Sequence, residues 1–123
     1  MQTVLLVDDE SAIRRALRMT FENAGLSVRE AESGRAALDA IAMDSDIAAV
    51  VSDFLMPEIN GVDFYDALVS IAPHLKDRVV FLTGAARDPM VHNSLEQRGV
   101  PLISKLGDLH LVLDAVKLSL LKT

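Results

Sequence analysis

Short apolar runs rich in Val, Ile and Leu alternate along the chain with longer segments whose apolar residues recur every three or four positions, in the order βαβαβαβαβα. Such strict alternation, with right-handed crossovers between parallel strands, leaves a narrow choice of architecture: an α/β doubly wound open sheet, (βα)5, with helices on both faces. Strands are predicted at residues 3–7, 26–30, 47–52, 78–82 and 100–104. The runs Ile47-Ala48-Ala49-Val50-Val51 and Val79-Val80-Phe81-Leu82 are apolar on both faces, as central strands of a parallel sheet require.

The helical segments carry their own start and stop signals. The first presents Ile13, Leu17, Phe21 and Ala24 on one face, with Arg14, Arg15, Arg18 and Glu22 elsewhere, and Gly25 stands where a left-handed C-terminal residue belongs. Ala37, Leu38 and Ile41 mark a second helix after Ser33-Gly34. Phe64, Ala67, Leu68 and Ile71 mark a third, which Pro73 stops. Asp88-Pro89 opens a fourth with a thin apolar face (Val91, Leu95) that ends at Gly99. Asp108 caps a fifth, whose core face is Leu109, Val112, Leu113, Val116 and Leu120. Leu111 and Leu118 fall on its opposite side and are expected to be exposed, as single surface leucines or as a homodimer or partner-docking surface.

A chain of 123 residues of which half are apolar suits one domain, residues 1–123, with one continuous fold. Twelve Lys and Arg against eighteen Asp and Glu leave a net charge of −6, which argues against the clustered cations that bind a phosphate backbone; no direct nucleic-acid partner is expected. Zero cysteine excludes disulfides, thiolate zinc sites and thiol catalysis, and fits a reducing compartment. No apolar run approaches the roughly 20 residues that span a bilayer, and Val4-Leu5-Leu6-Val7 runs directly into Asp8-Asp9-Glu10. Neither signal peptide nor membrane insertion is expected, and the predicted location is cytoplasmic.

Doubly wound sheets bind ligands outside the C-terminal ends of their strands. There this chain gathers Asp8-Asp9-Glu10, Asp53, Thr83-Gly84 and Lys105. Carboxylates about 5 Å apart at an effective dielectric of about 20 repel by about 3 kcal/mol per pair, so a cation is expected among them. Oxygen ligands at a hydrated edge favour Mg²⁺, with Asp8, Asp9 and Asp53 as its carboxylates. Adding the Thr83 hydroxyl and the Lys105 ammonium gives a carboxylate nucleophile, a metal and two donors for phosphoryl oxygens: a phosphoryl-accepting aspartate. Each residue alone has a plainer reading. Asp8-Asp9-Glu10 also suits a helix N-terminus, with Asp9 as cap, and Met56-Pro57 and Asn60-Gly61 suit loop geometry, where proline fixes φ and glycine permits positive φ. His74, His92 and His110 lie on separate helices with no metal-like spacing.

Together, Val7-Asp8-Asp9-Glu10, Asp53-Phe54-Leu55-Met56-Pro57-Glu58-Ile59-Asn60-Gly61, Leu82-Thr83-Gly84 and Ser104-Lys105 resemble the motifs of the receiver domain of two-component response regulators, over essentially the whole chain. The resemblance implies a flavodoxin-like fold with strand order 2-1-3-4-5. It implies that a histidine kinase or histidine phosphotransfer protein phosphorylates Asp53 and so switches an interaction surface. It also implies that Mg²⁺ is held by Asp8, Asp9, Asp53 and the Met56 backbone carbonyl, with Thr83 as the switch hydroxyl and Lys105 as the phosphoryl counter-cation. Two positions depart from the family pattern. Leu102 stands where an aromatic residue usually swings, and Leu106 where a cis-proline usually follows the lysine; a cis bond there would cost about 2.5–4 kcal/mol, so trans is expected. These departures put the usual output mechanism in question, and the run Val80-Phe81-Leu82-Thr83-Gly84-Ala85 with the altered fifth strand resembles receivers attached to hybrid sensor kinases. The resemblance also implies that the residues two after the acceptor and two after the switch hydroxyl flank the approach of water; here they are Leu55 and Ala85, which offer it no hydrogen bond, so slow self-dephosphorylation is expected. The competing enzyme reading, a magnesium-dependent phosphohydrolase, lacks the Asp-x-Asp pattern after strand one and a substrate-enclosing insertion; a metabolic enzyme is not expected.

Overall fold

The structure, a computed structural model, describes residues 2–84, 95–105 and 107–121. Five strands, β1 (Thr3–Val7), β2 (Ser27–Ala31), β3 (Ile47–Asp53), β4 (Val79–Thr83) and β5 (Leu102–Ser104), form one parallel sheet in the order β2-β1-β3-β4-β5. The helices are α1 (Ser11–Asn23), α2 (Gly34–Met43), α3 (Gly61–Ile71) and the C-terminal α4 (Leu109–Leu120), with a 3-10 turn at Pro73–Leu75. This is the expected flavodoxin-like α/β fold. The predicted fourth helix falls mostly on residues 85–94, outside the described residues. Its end is described: Gly99 N–H donates to Glu96 O and Val100 N–H to Leu95 O, both at 3.0 Å, and Leu95 is fully buried.

Each sheet face carries its own core, because strand residues alternate between faces. Leu5, Val7, Val50 and Phe81 pack with Ala37 and Ile41 of α2 and Phe64 and Leu68 of α3. Val4, Leu6, Val51, Val80 and Leu82 pack with Leu17 and Phe21 of α1 and Val112, Leu113 and Val116 of α4. Burial of each large aliphatic or aromatic side chain is worth about 1.5–3 kcal/mol, which sets the helices on their strands. Gly25 ends α1 at φ +87, as expected from its position.

Three expectations are corrected. Ala24 and Ile71, placed on core faces, are exposed, Ile71 by 47 %. Each ends its helix, and on α3 Tyr65 turns inward, donating its hydroxyl to Lys76 O at 2.8 Å. Gly61 is not a positive-φ turn residue: positive φ among the described glycines occurs at Gly25 and Gly99. Gly61 opens α3 behind the cap Asn60, whose Oδ1 accepts from Asp63 N–H at 2.9 Å. It must be glycine for another reason, since a Cβ there would stand 2.3 Å from the Phe54 ring. Asp108 caps α4 as expected, accepting from His110 N–H, and Ser33 caps α2, accepting from Ala36 N–H.

Candidate functional site

Strand registry brings the polar residues to one edge. Val7 pairs with Ser52, Asp53 with Leu82 and Thr83 with Ser104, so β1, β3, β4 and β5 end level with one another. Asp53 and Thr83 are the last residues of β3 and β4, and Asp8 and Lys105 directly follow the ends of β1 and β5. Asp8 and Asp53 are buried, at 2 % and 5 % exposure, and Thr83 is fully buried. The Lys105 N–H donates to Thr83 O at 3.0 Å, fixing the base of the lysine beside the threonine.

The Lys105 ammonium is shared by three carboxylates. Its Nζ donates to Asp53 Oδ2 at 2.8 Å and to Glu10 Oε1 at 3.0 Å, and lies 3.0 Å from Asp8 Oδ2. The contact to Asp8 is an ion pair, and Asp8 Oδ2 is otherwise a buried oxygen with no hydrogen-bond donor among the described residues. Burial holds the Asp8 carboxyl above its ordinary 3.8, and the opposing pull of the Glu10 amide and Lys105 does not cancel it. Burial works against the Lys105 ammonium, but its bonds to Asp53, Asp8 and Glu10 together outweigh that and push it upward. The lysine is therefore a fixed positive charge.

Asp53 is oriented from its own loop: Oδ1 accepts from Leu55 N–H at 3.2 Å, and its carbonyl accepts from the Ser52 hydroxyl at 3.0 Å. Leu55, 57 % exposed, stands beside it and bridges to Asn60. Met56 is half-buried in the α2–α3 core cluster, its Sδ 3.9 Å from Ser52 Oγ. Asp8, Asp9, Glu10 and Asp53 each bring a carboxylate oxygen within 4.8 Å of the others. Hard oxygen donors at that spacing, one of them buried without a donor, fit a small divalent cation.

Most of the expected site residues therefore meet at one edge, with two changes of role. Asp9 is not the helix cap; Glu10 occupies that position without a side-chain cap bond, and Asp8 Oδ1 takes the Glu10 N–H at 2.9 Å instead. Two contributors went unassigned in the sequence. Glu10 was legible as acidic, but only the fold brings it to Lys105, 95 positions away. Arg14 looked like one more solvated charge on α1, yet its Nη1 donates to Asp8 O. Leu102 is half-buried and packed against the α2–α3 core cluster, opposite Phe81 in register. Leu111 and Leu118 are exposed by 54 % and 65 %, on the side of α4 expected for them. Ala85, His92 and Leu106, including the bond preceding Leu106, lie outside the described residues. His74 and His110 are exposed. No described helix is long and apolar enough to cross a membrane.

Comparison with known proteins identifies the family. The response regulator receiver domain matches residues 4–117, and the chain belongs to that family. The transcriptional regulatory protein SrrA of Staphylococcus aureus is 29 % identical over 85 residues, covering 69 % of this chain and 34 % of SrrA. The match thus spans about a third of the length of that relative. Among solved structures, a CheY-like receiver domain protein from Methanospirillum hungatei superposes with a TM-score of 0.86 at 21 % identity, over 98 % of this chain and 94 % of the other. The chemotaxis response regulator CheY4 of Vibrio cholerae does so at 0.80 and 28 %, over 97 % and 98 %. Receiver domains are signalling modules rather than metabolic enzymes; they bind Mg²⁺ at an acidic pocket and take phosphoryl groups from histidine kinases or phosphotransfer proteins.

Proposed function

We propose that this chain is a Mg²⁺-dependent phosphoacceptor whose nucleophile is Asp53 and whose donor is the phosphohistidine of a histidine kinase or histidine phosphotransfer protein. The observation that carries the reading is Lys105 Nζ at 2.8 Å from Asp53 Oδ2, inside a cluster of carboxylate oxygens no more than 4.8 Å apart. An Asp53 carboxylate oxygen forms a bond to phosphorus as the phosphorus–nitrogen bond to histidine breaks. The electron pair of that bond returns to the imidazole nitrogen. Asp8, Asp9, Asp53 and the Met56 carbonyl would hold the ion, which supplies charge neutralisation at the phosphoryl oxygens. Lys105 is charged and in place before transfer, so it pairs with a phosphoryl oxygen without reorganising. Thr83, buried at the end of β4 with its carbonyl accepting from the Lys105 N–H, is the switch hydroxyl that would move to a second phosphoryl oxygen. Leu55, exposed beside the acceptor and apolar, offers water approaching Asp53 no hydrogen bond, which supports slow loss of the phosphoryl group. The domain acts as one unit, residues 1–123, in a cytoplasmic phosphorelay, whether free or as part of a hybrid kinase, without direct contact to nucleic acid.

The test is intact mass after incubation with phosphoramidate and Mg²⁺. One phosphoryl group should add to the wild type, none to Asp53→Asn, and little when EDTA replaces Mg²⁺. An unmodified wild type overturns the assignment.

A further inference from the structure

The acidic loop between β1 and α1 carries three successive carboxylates and meets a fourth, Asp53, yet Asp8 is anchored on all sides. Its N–H donates to Ala31 O of β2 at 3.2 Å, its Oδ1 accepts from Glu10 N–H, and its carbonyl accepts from Arg14 Nη1. The same guanidinium donates from Nε to Glu30 Oε1 of β2 at 3.0 Å, with the Arg14 side chain only 17 % exposed. Glu30 is held in turn by Arg18 Nη1 at 2.6 Å, and Arg18 with Arg14 keeps the Glu30 carboxyl below its ordinary 4.5. Both backbone groups of Asp8 are thus fixed through β2, one directly and one through a planar fork that touches two acceptors at once.

We propose that Arg14, set by Glu30, is a positioning residue for the cation site: it fixes the Asp8 carbonyl so that the Asp8 carboxylate stays aimed at Asp53 despite repulsion within the cluster. The inference rests on the proposed Mg²⁺-dependent acceptor function. The fork geometry makes the role specific to arginine. A lysine offers one compact ammonium and cannot hold the Asp8 carbonyl and the Glu30 carboxylate in the same fixed plane. Groups that orient a ligand in this way commonly change metal affinity by 10–100-fold when removed.

The experiment measures Mg²⁺ binding by isothermal titration calorimetry on the wild type, Arg14→Lys, Arg14→Met and Glu30→Ala. Alongside it are measured thermal stability without metal and the phosphoramidate reaction rate at saturating Mg²⁺. Both Arg14 variants should bind Mg²⁺ about tenfold more weakly, and Glu30→Ala, which leaves Arg14 in place but unset, about threefold. Rates at saturating Mg²⁺ should stay within about twofold of wild type. Mg²⁺ dissociation constants within twofold of wild type in all the variants overturn the proposal, whether or not metal-free stability falls, because a packing role alone moves stability and leaves affinity unchanged. Wild-type affinity in Arg14→Lys alone also overturns it. If Arg14→Met does not fold, Glu30→Ala and Arg14→Lys decide the matter. A wild type that binds no Mg²⁺ and takes no phosphoryl group is a different failure, that of the acceptor reading itself.

Discussion

The two sides of the acidic edge are held by different forces. β1 and β3 are paired on both sides within the sheet, and Val4 to Val7 and Ala49 to Asp53 are buried. Asp8 and Asp53 extend from these strands, their directions set by packing and by backbone bonds. β5 is an edge strand of three half-buried residues. Lys105 extends from it and is held mainly by charge, through Asp53, Asp8 and Glu10. The carboxylates are thus placed by the core and the lysine is placed by the carboxylates. The acceptor side should tolerate changes of charge without moving, whereas the β5 side should respond to them.

Removing Lys105 is the strongest way to break that arrangement. Lys105→Met leaves two buried carboxylates facing each other without a counter-charge, and it should lower stability by about 2–3 kcal/mol near pH 7, less than the cost of about 3–5 kcal/mol for a fully buried broken pair because the site opens to solvent. The sign of the pH dependence follows from Asp8. A carboxyl held above its ordinary 3.8 contributes stability at low pH that is lost as pH rises through its folded value, and loss of the lysine raises that value further. The gap between variant and wild type should therefore shrink on acidification toward pH 4. Millimolar Mg²⁺ should stabilise the variant more than the wild type, since a bound ion relieves the same repulsion. Chemical denaturation at pH 7 and pH 4.5, with and without Mg²⁺, checks all of this. A gap that widens in acid would show that the lysine is structural for β5 and not for the carboxylates.

A smaller effect sharpens the packed side of the comparison. Phe54 follows the acceptor directly and sits edge-on to Phe81, with ring centroids 5.6 Å apart. Its ring fills the space where a Gly61 Cβ would stand. Gly61→Ala should cost about 1–2 kcal/mol through displacement of that ring, as overpacking of a filled core does. Adding Phe54→Leu should recover part of the loss if the clash is the cause. Equal denaturation midpoints for wild type and Gly61→Ala would show that the ring yields freely.

The same contrast explains what could be read before the fold was known. Strand and helix order, both core faces and the residues at strand ends follow from periodicities of two and 3.6 applied to Val, Ile and Leu, so the packed side was legible. The role of Asp53 needed its partners: as a lone aspartate after a strand it is only a turn residue, and Thr83 and Lys105 around it gave it meaning. Glu10 as a partner of Lys105 was hidden because nothing local joins positions 10 and 105. Arg14 was hidden because a cation on a polar helix face has the same pattern whether it meets water or a strand-end carbonyl. Gly61 was misread because glycine answers two needs, positive φ and close approach, and sequence alone does not separate them.

The smallest expected effect belongs to the outer face of α4, which neither packing nor charge holds to the rest of the molecule. Leu111 and Leu118 lie one heptad apart, opposite Val112 and Val116, which are buried against the sheet. If the sheet alone fixes α4, then Leu111→Gln with Leu118→Gln removes nothing that folding uses, and stability should change by no more than about 0.5 kcal/mol, as at ordinary surface positions. Any effect should instead fall on self-association, measured by sedimentation velocity of the unmodified and phosphorylated forms. A stability loss above about 1 kcal/mol would place these leucines in a contact that the folded monomer itself depends on.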